Sequence, residues 1–147
     1  MRTDIQHGLQ QVVADTYSLM AKTHVYHWNV TGSNFMSLHS QFQAQYEALF
    51  VAVDTLAERI RQLDVMVEGG VVAFAQNSNI SSPSAKTAEA MIAELAEDHK
   101  VMATSLVSFA NLADEAGDRI TADLLTARAT DHSKTAWMLS AQLSSHR

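Results

Sequence analysis

Apolar positions along the chain recur at alternating steps of three and four. Val13, Tyr17, Met20, His24 and His27 make one such stripe, and Leu49, Val53, Leu56, Ile60 and Leu63 a second. Ile92, Leu95, His99, Met102, Leu106 and Phe109 make a third, and Leu125, Ala129, His132, Ala136, Leu139 and Leu143 a fourth. This period places each set on one face of an α-helix. Helix breakers cluster in three places: Thr31-Gly32-Ser33-Asn34, the polar stretch from Gly69-Gly70 to Pro83-Ser84, and Gly117-Asp118. The pattern predicts helices over about 4–31, 34–64, 85–116 and 119–145. Each spans roughly 40 Å at a rise of 1.5 Å per residue. Four one-sided helices with two tight connections and one long one predict two helical hairpins joined by a crossover, an all-α four-helix bundle. Val71, Val72, Ala73 and Phe74 inside the crossover predict a short extra helix between the second and third long ones, since a structureless connection of that length is unusual.

Composition sharpens this. The 147 residues contain five glycines and one proline, where about 18 of the two together are usual at this length. The length suits a single domain, 1–147, with a real core. There is no cysteine, so neither a disulfide framework nor a thiolate metal site exists. No run approaches the 18 or so apolar residues of a membrane span, and Met1-Arg2-Thr3-Asp4 lacks the pattern of a signal peptide. The expectation is a soluble, cytoplasmic protein. A formal net charge of −6 argues against a nucleic-acid grip over the whole surface.

The candidate chemistry lies in polar residues where a plain bundle has none. Asp54 and Glu58 stand one helical turn apart, a spacing that lets two carboxylates reach one cation. His39 precedes them on the same helix, and His27 ends the first. Imidazole and carboxylate together suit iron, zinc or manganese better than calcium. The bland readings are a solvated acidic face, or Glu58 paired with Arg59 or Arg61. His99 and His132 read as hydrogen-bonded core residues. His39 and Asp54 are fifteen residues apart, roughly 22 Å along one helix, whereas metal–ligand bonds are near 2 Å. Either there are two unrelated sites, or the histidines of one subunit meet the carboxylates of another across a two-fold axis.

The run His27-Trp28-Asn29-Val30-Thr31-Gly32-Ser33-Asn34-Phe35, then Leu38-His39, then Asp54-Thr55-Leu56-Ala57-Glu58-Arg59, resembles the signature of the Dps family, ferritin-like mini-ferritins named for DNA-binding proteins from starved cells. The resemblance covers the helix pattern, the crossover, Pro83-Ser84 and the Trp137 region, essentially the whole chain. It implies a ferritin-like bundle assembled into a hollow homododecamer. It also implies a ferroxidase that oxidises Fe(II), with hydrogen peroxide preferred to oxygen, and stores ferric oxide inside, limiting oxidative damage. The family's iron sites lie at the dimer interface. On that reading His27, His39, Asp54 and Glu58 are the catalytic iron ligands. Trp28 lies beside them, either handling electrons or packing at the interface.

Four residues after the second histidine the family has a carboxylate; this chain has Gln43, an uncharged and weaker ligand for a hard cation. Glu47 lies about 6 Å further along the helix and is a poor substitute. His24, one turn before His27, would extend the site, hydrogen-bond to a ligand or bind zinc, against a plain core or interface role. In the family an acidic three-fold pore near the start of the last helix admits cations. Asp118 and Asp123 fall there, although Asp118 also suits an N-cap and Arg119 would dilute the field. The chain lacks the lysine-rich tail with which family members grip DNA, so DNA binding is not expected. The competing readings are a nucleoid-compacting DNA-binding protein with little oxidase activity and a cage that buffers zinc or manganese.

Overall fold

A computed structural model describes residues 2–143, with side chains from residue 4. Its elements are α1 (Arg2–Asn29), α2 (Phe35–Gln62), α3 (Val71–Asn77), α4 (Ala88–Glu115) and α5 (Arg119–Ala141). No strand occurs among the described residues. The four long helices and the short crossover helix match the sequence pattern. The predicted boundaries differ by up to four residues, and the predicted end of the last helix runs past the described residues.

Local chemistry sets those boundaries. At the α4–α5 corner Gly117 adopts φ +83°, which an L side chain resists. Its N–H donates to the Asp114 carbonyl (3.0 Å) and the Asp118 N–H to the Ala113 carbonyl (2.9 Å), the paired bonds of a Schellman stop. Asp118 at once caps α5, accepting from the Thr121 N–H (3.0 Å). The first three predicted residues of the third long helix, less than one turn, lie outside it. That helix starts at Ala88, capped by the Thr87 hydroxyl, which accepts from the Ala90 N–H (3.1 Å).

Packing follows the hairpins. α1 packs on α2, α4 on α5, and α1 on α4, whereas α2 and α5 meet at few points and leave a cleft between them. One apolar cluster joins Leu9, Val13, Leu56, Ile60, Leu106 and Leu125; another joins Leu19, Tyr26, Phe42, Leu95, Met102 and Leu139. Core positions missed by the stripes, such as Leu9, Leu38 and Phe42, sit in the first halves of their helices.

The long connection is pinned to α1 by buried polar groups. The Asp15 carboxylate accepts from the Asn79 N–H (2.7 Å) and the Ser78 hydroxyl (3.0 Å). Lys22 is fully enclosed and reaches Asp98 (2.8 Å), Glu94 (3.1 Å) and the Ser81 hydroxyl (3.1 Å). Burial works against its charge, but the two carboxylates outweigh it and hold its pKa above the usual lysine value. The Tyr26 hydroxyl donates to Glu94 and accepts from the Ser84 and Ala85 N–H groups. No helix among the described residues is long and apolar enough to cross a membrane.

Candidate metal centre

His27 lies in the last turn of α1, where carbonyl groups lack an N–H four residues on. His39 lies early in α2, across the short turn. The His27 Nδ1 donates to the His39 carbonyl (2.7 Å), and the His39 Nδ1 donates to the His27 carbonyl (2.7 Å). The two rings stack at 3.7 Å between centroids and 14° between planes. A carbonyl can only accept, so each Nδ1 carries a hydrogen, and Nε2 is the atom left on each ring to offer a lone pair to a metal. Reciprocal backbone anchors of this kind fix ring orientation and raise ligand basicity, as supporting hydrogen bonds do around metal-binding histidines.

An aromatic wall stands beside the pair. His24 packs against Trp28 (3.9 Å between ring centroids) and Tyr46 (4.2 Å), and Tyr46 lies edge-on to His27 (5.2 Å). Tyr46 escapes a sequence reading based on ligand types. Its one signal is a position seven residues after His39, two turns along the same helix. Trp28 remains 60% exposed.

The carboxylates lie elsewhere. Asp54 and Glu58 are exposed, and neither flanking arginine takes Glu58. Arg59 reaches Asp118 (2.9 Å), Thr121 (2.9 Å) and Gln62 (3.0 Å), while Arg61 donates to the Val65 carbonyl (2.8 Å). Gln43 is exposed and donates to Glu47 (3.1 Å), which leaves its amide oxygen free. Among the described residues no three histidine or carboxylate side chains gather at one point within the chain.

At 100° per residue, Met36, His39, Gln43, Glu47, Phe50, Asp54 and Glu58 fall within an arc of about 100° on α2. This stripe combines metal-ligand types with side chains that water does not favour. Met36 is 72% exposed and Phe50 62%. A face of that composition is suited to being covered.

Of the two acidic residues near the start of α5, Asp123 is exposed, whereas Asp118 is engaged. Burial pushes the Asp118 carboxyl up, but Thr121 and Arg59 together hold it below the usual carboxylate range.

A ferritin-like domain family matches residues 6–147. The DNA protection during starvation protein of Brevibacillus brevis is 33% identical over 148 residues, spanning 97% of this chain and 99% of that protein. Dps from Staphylococcus aureus superposes with a TM-score of 0.92 at 32% identity, over 96% of this chain and 95% of that one. The Vibrio cholerae Dps, described as a member of a broad superfamily of ferritin-like diiron-carboxylate proteins, superposes with a TM-score of 0.91 at 25% identity, over 96% and 89%.

Proposed function

Because the chain belongs to the Dps branch of the ferritin-like family, we propose that it is a mini-ferritin that oxidises Fe(II) at sites shared between two subunits and stores the ferric product inside a dodecameric shell. Iron binding and storage follow from the diiron-carboxylate family. The finer reading rests on one observation. Two histidines are pre-oriented by their Nδ1 hydrogen bonds, and the carboxylates that would complete their site, which form no ion pair among the described residues, lie roughly 22 Å along the same helix.

A two-fold axis near Tyr46 and Glu47, the midpoint between His39 and Asp54, would solve this. Two antiparallel copies of α2 would set the histidines of each subunit against Asp54 and Glu58 of the other, cover Met36 and Phe50, and form two equivalent sites. Imidazole nitrogen and carboxylate oxygen are a donor set that suits Fe(II). Two Fe(II) ions give one electron each to a peroxide, whose O–O bond breaks. Hydrolysis of the ferric product releases protons, which the exposed Glu47 side chain beside Gln43 is placed to accept. Consuming peroxide and Fe(II) together limits hydroxyl-radical formation. The net charge of −6 per subunit would draw cations toward the shell, with exposed Asp123 the better placed of the two acidic pore candidates.

Gln43 sets the occupancy. Its amide oxygen carries no charge, so one of the two iron positions is weak and filled transiently or with water in place of a carboxylate. Gln43→Glu is expected to bind Fe(II) at that position about tenfold more tightly, in line with the size of single-group effects around metal sites. Anaerobic Fe(II) titration followed by peroxide addition measures this. Equal stoichiometry and equal oxidation rates in both proteins would refute the role given to Gln43.

DNA is not a partner on this reading. Basic residues are scattered, and an assembly of negatively charged subunits repels phosphates. No shift of duplex DNA is expected at neutral pH and moderate salt in a gel-retardation assay. Saturable retardation at micromolar protein would instead favour the DNA-compacting reading. Anomalous scattering at the iron and zinc edges separates ferroxidase from a zinc-buffering cage.

A further inference from the structure

The cleft between α2 and α5 holds a cavity of about 250 Å³, lined by Gln45, Leu49, His99, Arg128 and Met138 with Lys134 at its rim. A liquid water takes about 30 Å³, so the space accepts a group of several heavy atoms. Gln45 lies on the flank of α2 turned away from the His39–Glu58 stripe, and the cavity is separate from the proposed iron site.

A chain of buried polar groups forms its floor. An Arg128 Nη donates to the His132 Nε2 (3.0 Å), and the Nδ1 atoms of His132 and His99 are 2.8 Å apart. A guanidinium only donates, so His132 must accept at Nε2 and carry its hydrogen on Nδ1. That hydrogen goes to the His99 Nδ1, which leaves the His99 hydrogen on Nε2. Both rings are neutral near pH 7: burial, with Arg128 nearby, lowers the His99 pKa to about 4, and burial, His99 and Arg128 lower that of His132 to about 2. Arg128 therefore dictates, through two rings, that His99 offers a donor to the cavity.

That donor has no acceptor. His99 is 98% enclosed and its Nε2 has no partner among the described residues, nor do the Arg128 Nε–H and the Gln45 Oε1. Burying a polar group without a partner is costly, so three such groups around one cavity are unusual. Two are donors, one belongs to a cation, and Lys134 adds a second positive charge. Asp131, bound to an Arg128 Nη (3.0 Å), offsets one of them. The third orphan is an acceptor, which matches a ligand carrying both oxygen acceptors and an O–H.

We propose that the α2–α5 cleft binds a small protonated oxyanion, of which hydrogen phosphate is the type. His99 Nε2–H and Arg128 Nε–H donate to its oxygens, and its hydroxyl donates to Gln45 Oε1. The test is calorimetric titration of the iron-free assembled protein with inorganic phosphate at pH 7 and constant ionic strength, beside phosphorus NMR of the bound anion. Saturable binding at one phosphate per subunit is expected. Gln45→Glu, which puts a negative charge where the anion's hydroxyl would lie, should weaken it at least tenfold. Asp131→Asn, at an exposed position, should tighten it several-fold by removing the competing carboxylate from Arg128. Circular dichroism checks that both variants keep the helices, and both should oxidise Fe(II) at the wild-type rate. Absence of saturable binding, or equal affinity in wild type and Gln45→Glu, overturns the proposal.

Discussion

Replacing Asp54 and Glu58 together by Asn and Gln lowers the initial rate of peroxide-driven Fe(II) oxidation by about 100-fold or more, a loss at least as large as that seen on removing groups that merely support metal ligands. Both side chains are exposed and form no ion pair among the described residues, so the variant keeps its helices. A stopped-flow absorbance assay of ferric product at fixed peroxide reads the rate, with circular dichroism as the control for folding. Replacing His27 and His39 by Leu gives the same loss for the complementary reason: it removes both Nε2 lone pairs. Oxidation within threefold of wild type in the carboxylate variant would place the reaction elsewhere in the molecule.

Acid should destabilise the fold through two groups distant from the proposed iron site. His99 and His132 are held neutral by burial, with pKa values of about 4 and about 2 against an ordinary 6.5. Both folded values lie below the unfolded one. Above pH 6.5 neither state is protonated at these rings and they add no pH dependence. As pH falls from 6.5 toward 4, the unfolded chain takes up two protons that the folded chain refuses, so stability drops by up to about 2.7 kcal/mol per pH unit. The deficit at pH 5 is on the order of 4 kcal/mol per subunit. Thermal melts at pH 7.5 and 5.0 should show a clearly lower Tm for the wild type at the lower pH. The double variant His99→Gln, His132→Gln, whose amides do not titrate, should lose much of that difference. An unchanged pH dependence would mean that these rings are protonated in the folded protein.

The fold was legible in the sequence because bundle packing writes itself as a period. Leu49, Val53, Leu56 and Ile60 on α2, and Leu95, Met102 and Leu106 on α4, are buried as the spacing requires. Glycine at the α4–α5 corner and Asp118 beside it carried the stop and start signals in their own chemistry. The beginning of α4 was less legible. Serines and a proline around position 83 announced a boundary, but the Thr87 hydroxyl decided where the N–H groups found an acceptor.

The site was legible only by halves. Ligand types and their spacing picked out His27, His39, Asp54 and Glu58, and the length of one helix required the halves to be far apart. What spacing could not supply is the way each histidine is locked by the other's carbonyl, because a backbone acceptor has no residue letter. Tyr46 stayed hidden for a related reason: ring stacking against His24 depends on the approach of two helices, not on a local pattern. His99 and His132 showed as histidines on apolar stripes, and burial agrees with a core role. Arg128 and His132 pair one turn apart on α5, but the link from His132 to His99 appears only when α4 and α5 pack.

The central claim is that each oxidation site takes histidines from one subunit and carboxylates from its mate. Subunits carrying His27→Leu and His39→Leu can be mixed with subunits carrying Asp54→Asn and Glu58→Gln, then unfolded and reassembled together. A mixed dimer joins one intact half from each parent, giving one complete site and one with neither half. Random pairing of equal amounts should therefore restore about a quarter of the wild-type oxidation rate from two parents that are each inactive. A reassembled mixture that contains mixed dimers but stays as inactive as its parents would contradict the shared site.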